Sequence, residues 1–168
     1  MTARVAAGRV AGVRTVPGWL VPTALGLSAI GLLLGVYLTY EHFTQNATLA
    51  CSTTGTINCQ KVTESPWSSF LGVPVAVLGV LFFVVMLALC QPRLFRVDTR
   101  RWDAVRLGWS AIGLAFALYL VWAELFHIGA ICLWCTGVHV VTFLLFVALL
   151  FGQALVEPTR AGSDGAPR

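Results

Sequence analysis

Four of the five cysteines in this chain fall into two groups whose spacing allows thiol chemistry. Cys51 and Cys59 flank seven residues of a polar stretch, and Cys132-Leu133-Trp134-Cys135 is a tight Cys-x-x-Cys. Four cysteines permit three pairings, and the spacing favours Cys51 with Cys59 and Cys132 with Cys135. A Cys-x-x-Cys at the start of a helix suits redox cycling, because the thiolate is the attacking species and the positive end of the helix dipole lowers thiol pKa. A pair in a mobile loop can turn one sulfur toward a partner protein and the other inward, so that thiol exchange carries electrons to the tight pair. The plain alternative is two disulfides stapling exposed loops, the commonest use of cysteines in an oxidising compartment. A two-residue loop in an already helical segment constrains the chain little, which favours redox work for Cys132 and Cys135. A thiolate metal site completed by His42 and His127 lacks the usual paired ligand spacings, and haem attachment needs a His where Thr136 stands.

A dithiol that has been reduced by its partner must be reoxidised, and the sequence carries no nucleotide fingerprint, no haem signature and no soluble module for a flavin. A quinone dissolved in the bilayer fits, with Cys135 facing a bundle interior among apolar and aromatic neighbours. His139, one helical turn beyond Cys135 on the same face, is placed to hydrogen-bond a quinone carbonyl; an interfacial histidine is the alternative. Glu124 and His127 could shuttle protons, but charged residues at span ends read more simply as marks of the water interface. Cys90, distant from the others in topology, reads as a small apolar residue.

The elements that must position these residues are membrane helices. With 58% hydrophobic and 11% charged residues among 168, the chain has more apolar surface than one soluble core could hide. Its formal charge of +4 comes almost wholly from arginines that flank apolar runs and form no continuous basic face, which argues against nucleic-acid binding. The fold class expected is an all-α membrane protein, a four-transmembrane-helix bundle with spans at about 18–40, 70–90, 105–125 and 132–154. Residues 1–17 and 157–168 would be cytoplasmic segments around a membrane domain of 18–156. The first span is too long for a signal-peptide core and lacks a small-residue cleavage site. Residues 41–69 read as an irregular exposed loop, with Ser65-Pro66-Trp67 starting a short piece that rests Trp67 and Phe70 on the membrane surface. Pro74 is expected in the first turns of the second span, and 124–131 as a short reversal.

Arg4, Arg9 and Arg14, the basic connection holding Arg93, Arg96, Arg100, Arg101 and Arg106, and the tail fall on one side, whereas Lys61 is the only Lys or Arg in the other two connections. Both termini are therefore expected in the cytoplasm, with Cys51, Cys59, Cys132 and Cys135 gathered at the extracytoplasmic face of the cell membrane. Asn46-Ala47-Thr48 matches a glycosylation sequon and receives no function, since such matches arise often by chance.

The loop cysteines, Lys61-Val62, Ser65, the run Ser68-Ser69-Phe70-Leu71-Gly72-Val73-Pro74-Val75 and the Cys-x-x-Cys opening the fourth span resemble the bacterial branch of the vitamin K epoxide reductase family over roughly Trp19 to Phe151. The resemblance implies a protein dithiol:quinone oxidoreductase: a four-helix bundle around a quinone, with Cys51 as the outer shuttle, Cys59 passing electrons to Cys132, and Cys135 contacting the quinone. It makes Ser65 the serine near the active cysteines and gives a DsbA-like thioredoxin-fold protein as partner, in support of disulfide formation in secreted proteins. No thioredoxin domain follows the fourth span, so that partner is expected to be a separate protein. Val75 stands where animal members carry a quinone-binding asparagine, and His139 where they usually carry a tyrosine, so vitamin K epoxide is not supported as substrate. Composition compatible with a GC-rich actinobacterial source makes menaquinone the expected acceptor. The related DsbB family has the reverse order of cysteine pairs, and a membrane protein with structural disulfides or bound metal remains the alternative from another class.

Overall fold

Pro17, Gly18 and Trp19 lead into a long apolar helix, α1 (Leu20–Phe43), of a computed structural model that describes residues 16–45, 48, 50–51, 55–96 and 100–155. Pro22 sits in its first turn, where a missing N–H breaks no helical bond. Ser28 and Thr39 return their hydroxyls to the carbonyls of Ala24 and Gly35, both at 2.7 Å, so an apolar helix carries them without orphaned polar atoms. Arg4, Arg9, Arg14, the Asn46-Ala47 half of the sequon and the tail 157–168 lie outside the described residues.

The segment 41–69 is more ordered than its composition suggested. Helix α1 runs through Glu41 to Phe43, and a short helix, α2 (Cys59–Thr63), starts where Asn58 accepts the Lys61 N–H at 2.9 Å. A 3-10 turn (Pro66–Ser68) follows. The second span also begins later than expected, because residues 69–74 form a hairpin, β1 (Ser69–Phe70) against β2 (Val73–Pro74), with Ser69 opposite Pro74. Leu71 at φ 52° and Gly72 at φ 80° make its two-residue turn, and both central positions of such a turn need the left-handed region. Pro74 thus lies ahead of α3 (Val75–Leu89), not inside its first turns.

Beyond α3, the basic connection holds a short helix, α4 (Pro92–Arg96), and the start of α5 (Arg100–Ala123). Where a reversal was expected, α5 passes into a π-helical turn, Glu124–Ile128, stopped by Gly129 at φ 63°. Helix α6 (Leu133–Ala154) then returns.

Helix α1 packs on α3 and α6, and α5 packs on α6. Glycines permit the closest approaches: a Cβ at Gly31 would strike the Phe83 ring, one at Gly113 the Phe82 ring, and one at Gly152 the Leu20 side chain. Leu20, Ala24, Phe83, Met86, Cys90, Val141, Leu145 and Leu149 form the main buried cluster. Beside it lies Arg106, expected in the basic connection and only 1% accessible. Its Nε–H donates to the Leu89 carbonyl at 2.8 Å, its Nη1 pairs with Asp103 at 2.7 Å, and its guanidinium lies 3.8 Å from the Phe95 ring centroid. A carbonyl left open at the end of α3 is what draws this cation inward.

Large apolar side chains cover the outside, among them Leu33, Ile112 and Leu118 at 61–69% exposure, as expected of a multi-pass membrane protein. Leu20–Phe43, Arg101–Ile128 and Leu133–Ala154 are long and apolar enough to cross a bilayer. Helix α3 is as apolar but has 15 residues, or ~22 Å at 1.5 Å per residue against a hydrocarbon core of ~30 Å.

Candidate active site

One parallel bridge brings the two cysteine groups together. Ile57 pairs with Ile131, the Asn58 N–H donates to the Ile131 carbonyl at 3.1 Å, and the Ile131 N–H donates to the Thr56 carbonyl at 2.8 Å. Cys59 and Cys132 follow directly on these two strands, and both are fully buried in a second cluster with Val62, Ile128 and Ala130. Cys51, Trp67, Trp134 and Cys135 pack against it. Cys51 and Cys59 form a disulfide with Cα atoms 6.0 Å apart. Cys132 and Cys135 are free thiols. A disulfide and a dithiol therefore share one buried cluster, the arrangement that thiol exchange needs. Cys90 is in the main cluster at the far end of α3.

Cys132 is the N-cap of α6, just ahead of the span, and its sulfur accepts the Cys135 N–H at 3.3 Å. The hydrogen bond from the Cys135 thiol holds the Cys132 thiol below its usual pKa, aided by the N–H groups of Cys135 and Trp134. Burial and the nearby Glu124 carboxyl act in the opposite direction. Cys132 is thus the sulfur that ionises more readily, as a helix N-terminus with a dithiol partner favours.

Below the cysteines lies an apolar cavity of about 560 Å³, within the range of sites for drug-sized ligands. Val75, Phe82, Phe83 and Trp109 line one part, and Val62, Ser65, Trp67, Glu124, Cys135 and His139 another. The cavity therefore brings Ser65, Val75, Cys135 and His139 onto one surface. The Ser65 hydroxyl is engaged, donating to the Val62 carbonyl at 2.7 Å. His139 Nδ1 is buried and has no hydrogen-bond partner. An orphaned ring nitrogen facing an apolar cavity beside a thiol suits a ligand with a carbonyl or hydroxyl, such as a quinone.

The Trp67 ring stacks on His127 at 4.6 Å and meets Tyr119 and Trp122, both at 6.0 Å between centroids, and together with Phe70, 43% exposed, it lines the cavity.

Three side chains that the sequence did not single out hold the arm that carries Cys51. Glu41, buried at 0% exposure, accepts the Thr48 hydroxyl and its N–H. The Tyr37 hydroxyl accepts the Ala50 N–H at 3.3 Å. Trp134, inside the Cys-x-x-Cys, donates its indole N–H to the Ala50 carbonyl at 3.2 Å and meets the Tyr37 ring at 4.7 Å. Glu124 was read from sequence as an interface marker, yet it is 5% exposed, lines the cavity and lies near enough to Cys132 for its carboxyl to act on that thiol. Only Gly129, five residues on, hinted at the turn that turns it inward. His127 is exposed, as an interface residue would be.

The model of the vitamin K epoxide reductase family, a family of membrane thiol oxidoreductases that work with quinones and thioredoxin-fold partners, matches residues 22–150.

Proposed function

The chain belongs to the vitamin K epoxide reductase family, and from that premise we propose that it reoxidises a DsbA-like thioredoxin-fold protein and passes the electrons to a membrane quinone, menaquinone by preference. The observation that carries this reading is that the Cys51–Cys59 disulfide and the Cys132 and Cys135 thiols share one buried cluster, from which Cys135 lines the apolar cavity.

The partner's dithiol attacks Cys51, the half-exposed sulfur of its pair; the partner leaves oxidised, and Cys51 and Cys59 are left as thiols. Cys59 then attacks Cys132 of an oxidised Cys132–Cys135 pair, and Cys51 resolves the mixed disulfide. That exchange restores Cys51–Cys59 and leaves Cys132 and Cys135 reduced, the state described above. A bound quinone supplies the sink for two electrons. The chain's part is to seat it in the cavity against Cys135, with His139 Nδ1 toward a ring oxygen and Val75 offering packing where animal members offer an amide.

In this reading α3 is the second of four spans in a membrane unit covering 18–156. The hairpin before it and the helix end after it make up the length it lacks. Arg93, Arg96, Arg100 and Arg101 mark the cytoplasmic side, so the cysteines face the extracytoplasmic side of the cell membrane.

A trap tests the relay. In Cys135→Ala the Cys132 thiol has no neighbour to close on, so it should capture Cys59 as a stable Cys59–Cys132 bond and free Cys51 for alkylation. Peptide mapping that found Cys51–Cys59 intact and Cys132 free at all pH values would refute the relay.

A further inference from the structure

The π-helical turn after α5 serves one visible purpose, which is to bring a carboxyl into the site. Gly129 and Ala130 donate their N–H groups to the Glu124 backbone carbonyl at 2.9 and 3.3 Å, which closes the wide turn over Glu124. Turns of this kind inside long helices are common at functional sites. The side chain so placed is 5% exposed, lines the cavity together with Cys135 and His139, and lies near the Cys132 thiol. A carboxyl buried in apolar surroundings is costly, and packing alone does not explain why Glu is used where a neutral side chain would serve.

The redox step needs a proton carrier at this place. When Cys132 and Cys135 join, one S–S bond forms, two S–H bonds break, and two electrons and two protons leave. A quinone that becomes a hydroquinone takes up both electrons and both protons on its two ring oxygens, so the step balances without other reactants. Cys132, however, sits behind Cys135 at 0% exposure and does not line the cavity, so its proton needs an intermediary.

We propose that Glu124 is that intermediary: its carboxylate takes the proton of the Cys132 thiol as the Cys132–Cys135 bond forms, and delivers it to the acceptor in the cavity. The other titratable groups facing this space are Cys135, His139 and His42, while His127 is turned out against Trp67. Among the described residues, Glu124 lines the cavity, acts on the Cys132 thiol and comes from a turn outside the helix that carries the thiols. The charges also fit. A carboxylate disfavours a thiolate beside it, as the opposing effect of Glu124 on Cys132 indicates, and moving one proton between them leaves a single negative charge.

The inference rests on the quinone reading, and the experiment separates the two. The full chain, reconstituted in lipid vesicles, is reduced with dithiothreitol and mixed with a short-chain menaquinone; quinone absorbance is followed from pH 5 to 9 for the natural sequence, Glu124→Gln and Glu124→Asp. Glu124→Gln keeps the volume and polarity of the side chain and removes only its capacity to carry the proton. It should turn over about 10²-fold more slowly, with KM for quinone nearly unchanged and a flattened pH profile. Glu124→Asp should recover much of the rate. Formation of the Cys59–Cys132 bond in a Cys135→Ala background should be unaffected by either change, since that exchange needs no proton passed to the cavity. A Glu124→Gln rate within about threefold of the natural rate, or Gln and Asp equally slow, overturns the proposal. If Glu124→Gln does not fold, Glu124→Asp decides: a pH profile identical to the natural one overturns the proposal, and a displaced one supports it. If the natural sequence itself reduces no quinone, the quinone reading fails and this inference with it.

Discussion

Replacing Trp134 by Phe removes one hydrogen bond and leaves the aromatic body in place. The bond joins the Trp134 indole N–H to the Ala50 carbonyl at 3.2 Å, and the ring beside Tyr37 at 4.7 Å is of a kind that Phe can supply. A neutral hydrogen bond contributes about 0.5–1.5 kcal/mol net. Ala50 is exposed and water can replace the donor, so the lower half of that range applies, about 0.5–1 kcal/mol. At an RT of about 0.6 kcal/mol this multiplies the opening constant of the Cys51 arm by roughly 2–5. Amide hydrogen exchange measures that constant directly, because the Ala50 N–H is covered by the Tyr37 hydroxyl and exchanges when the arm lifts. Exchange at Ala50 should therefore quicken two- to fivefold in Trp134→Phe, while amides in the middle of α1 and α6 keep their rates. An unchanged Ala50 rate would refute the idea that the Cys-x-x-Cys holds the outer arm. Equal acceleration everywhere would mean that the substitution loosens the bundle and that the hydrogen bond is not the latch.

Other expectations concern the frame and the cavity. Gly31→Val should lower the thermal unfolding midpoint by several degrees, because its side chain must displace the Phe83 ring and overpacking costs about 1–3 kcal/mol; an unchanged midpoint would mean that α1 and α3 slide apart freely. Arg106→Met leaves the Leu89 carbonyl without its donor and should destabilise the bundle by about 1–3 kcal/mol, read by denaturation in mild detergent, with quinone KM unaltered. His139→Leu should raise the KM for quinone about tenfold, from loss of one hydrogen bond, while leaving the exchange between Cys59 and Cys132 intact; equal loss in both would place His139 in the cysteine relay instead.

The parts legible from sequence were those set by covalent spacing and hydropathy. Cys51 lies near enough to Cys59 to close a disulfide, the long apolar runs made α1, α5 and α6, and the four residues from Cys135 to His139 put both on one helical face. What escaped depended on backbone geometry that no periodicity announces. Pro74 and Gly72 in an apolar run looked like part of a span, yet together with Leu71 they make a hairpin that shortens α3. Arg106 looked like one more flanking arginine until the open carbonyl of Leu89 gave it a reason to turn inward. Glu124 was read as a span-end charge, because a sequence does not say whether a carboxyl at that depth meets water or turns into the bundle. The bridge from Ile57 to Ile131, which puts Cys59 beside Cys132, pairs segments more than seventy residues apart and leaves no local signal.

The central claim is that electrons entering at Cys51 leave through Cys135 to a quinone. It is tested most directly by following menaquinone absorbance in vesicles containing the purified chain and a reduced thioredoxin-fold protein. The account predicts turnover that is lost in Cys51→Ala when the protein partner is the donor, and lost in Cys135→Ala with any donor. Persistent quinone reduction in Cys135→Ala, or none at all by a folded chain whose cysteines exchange normally, would contradict it.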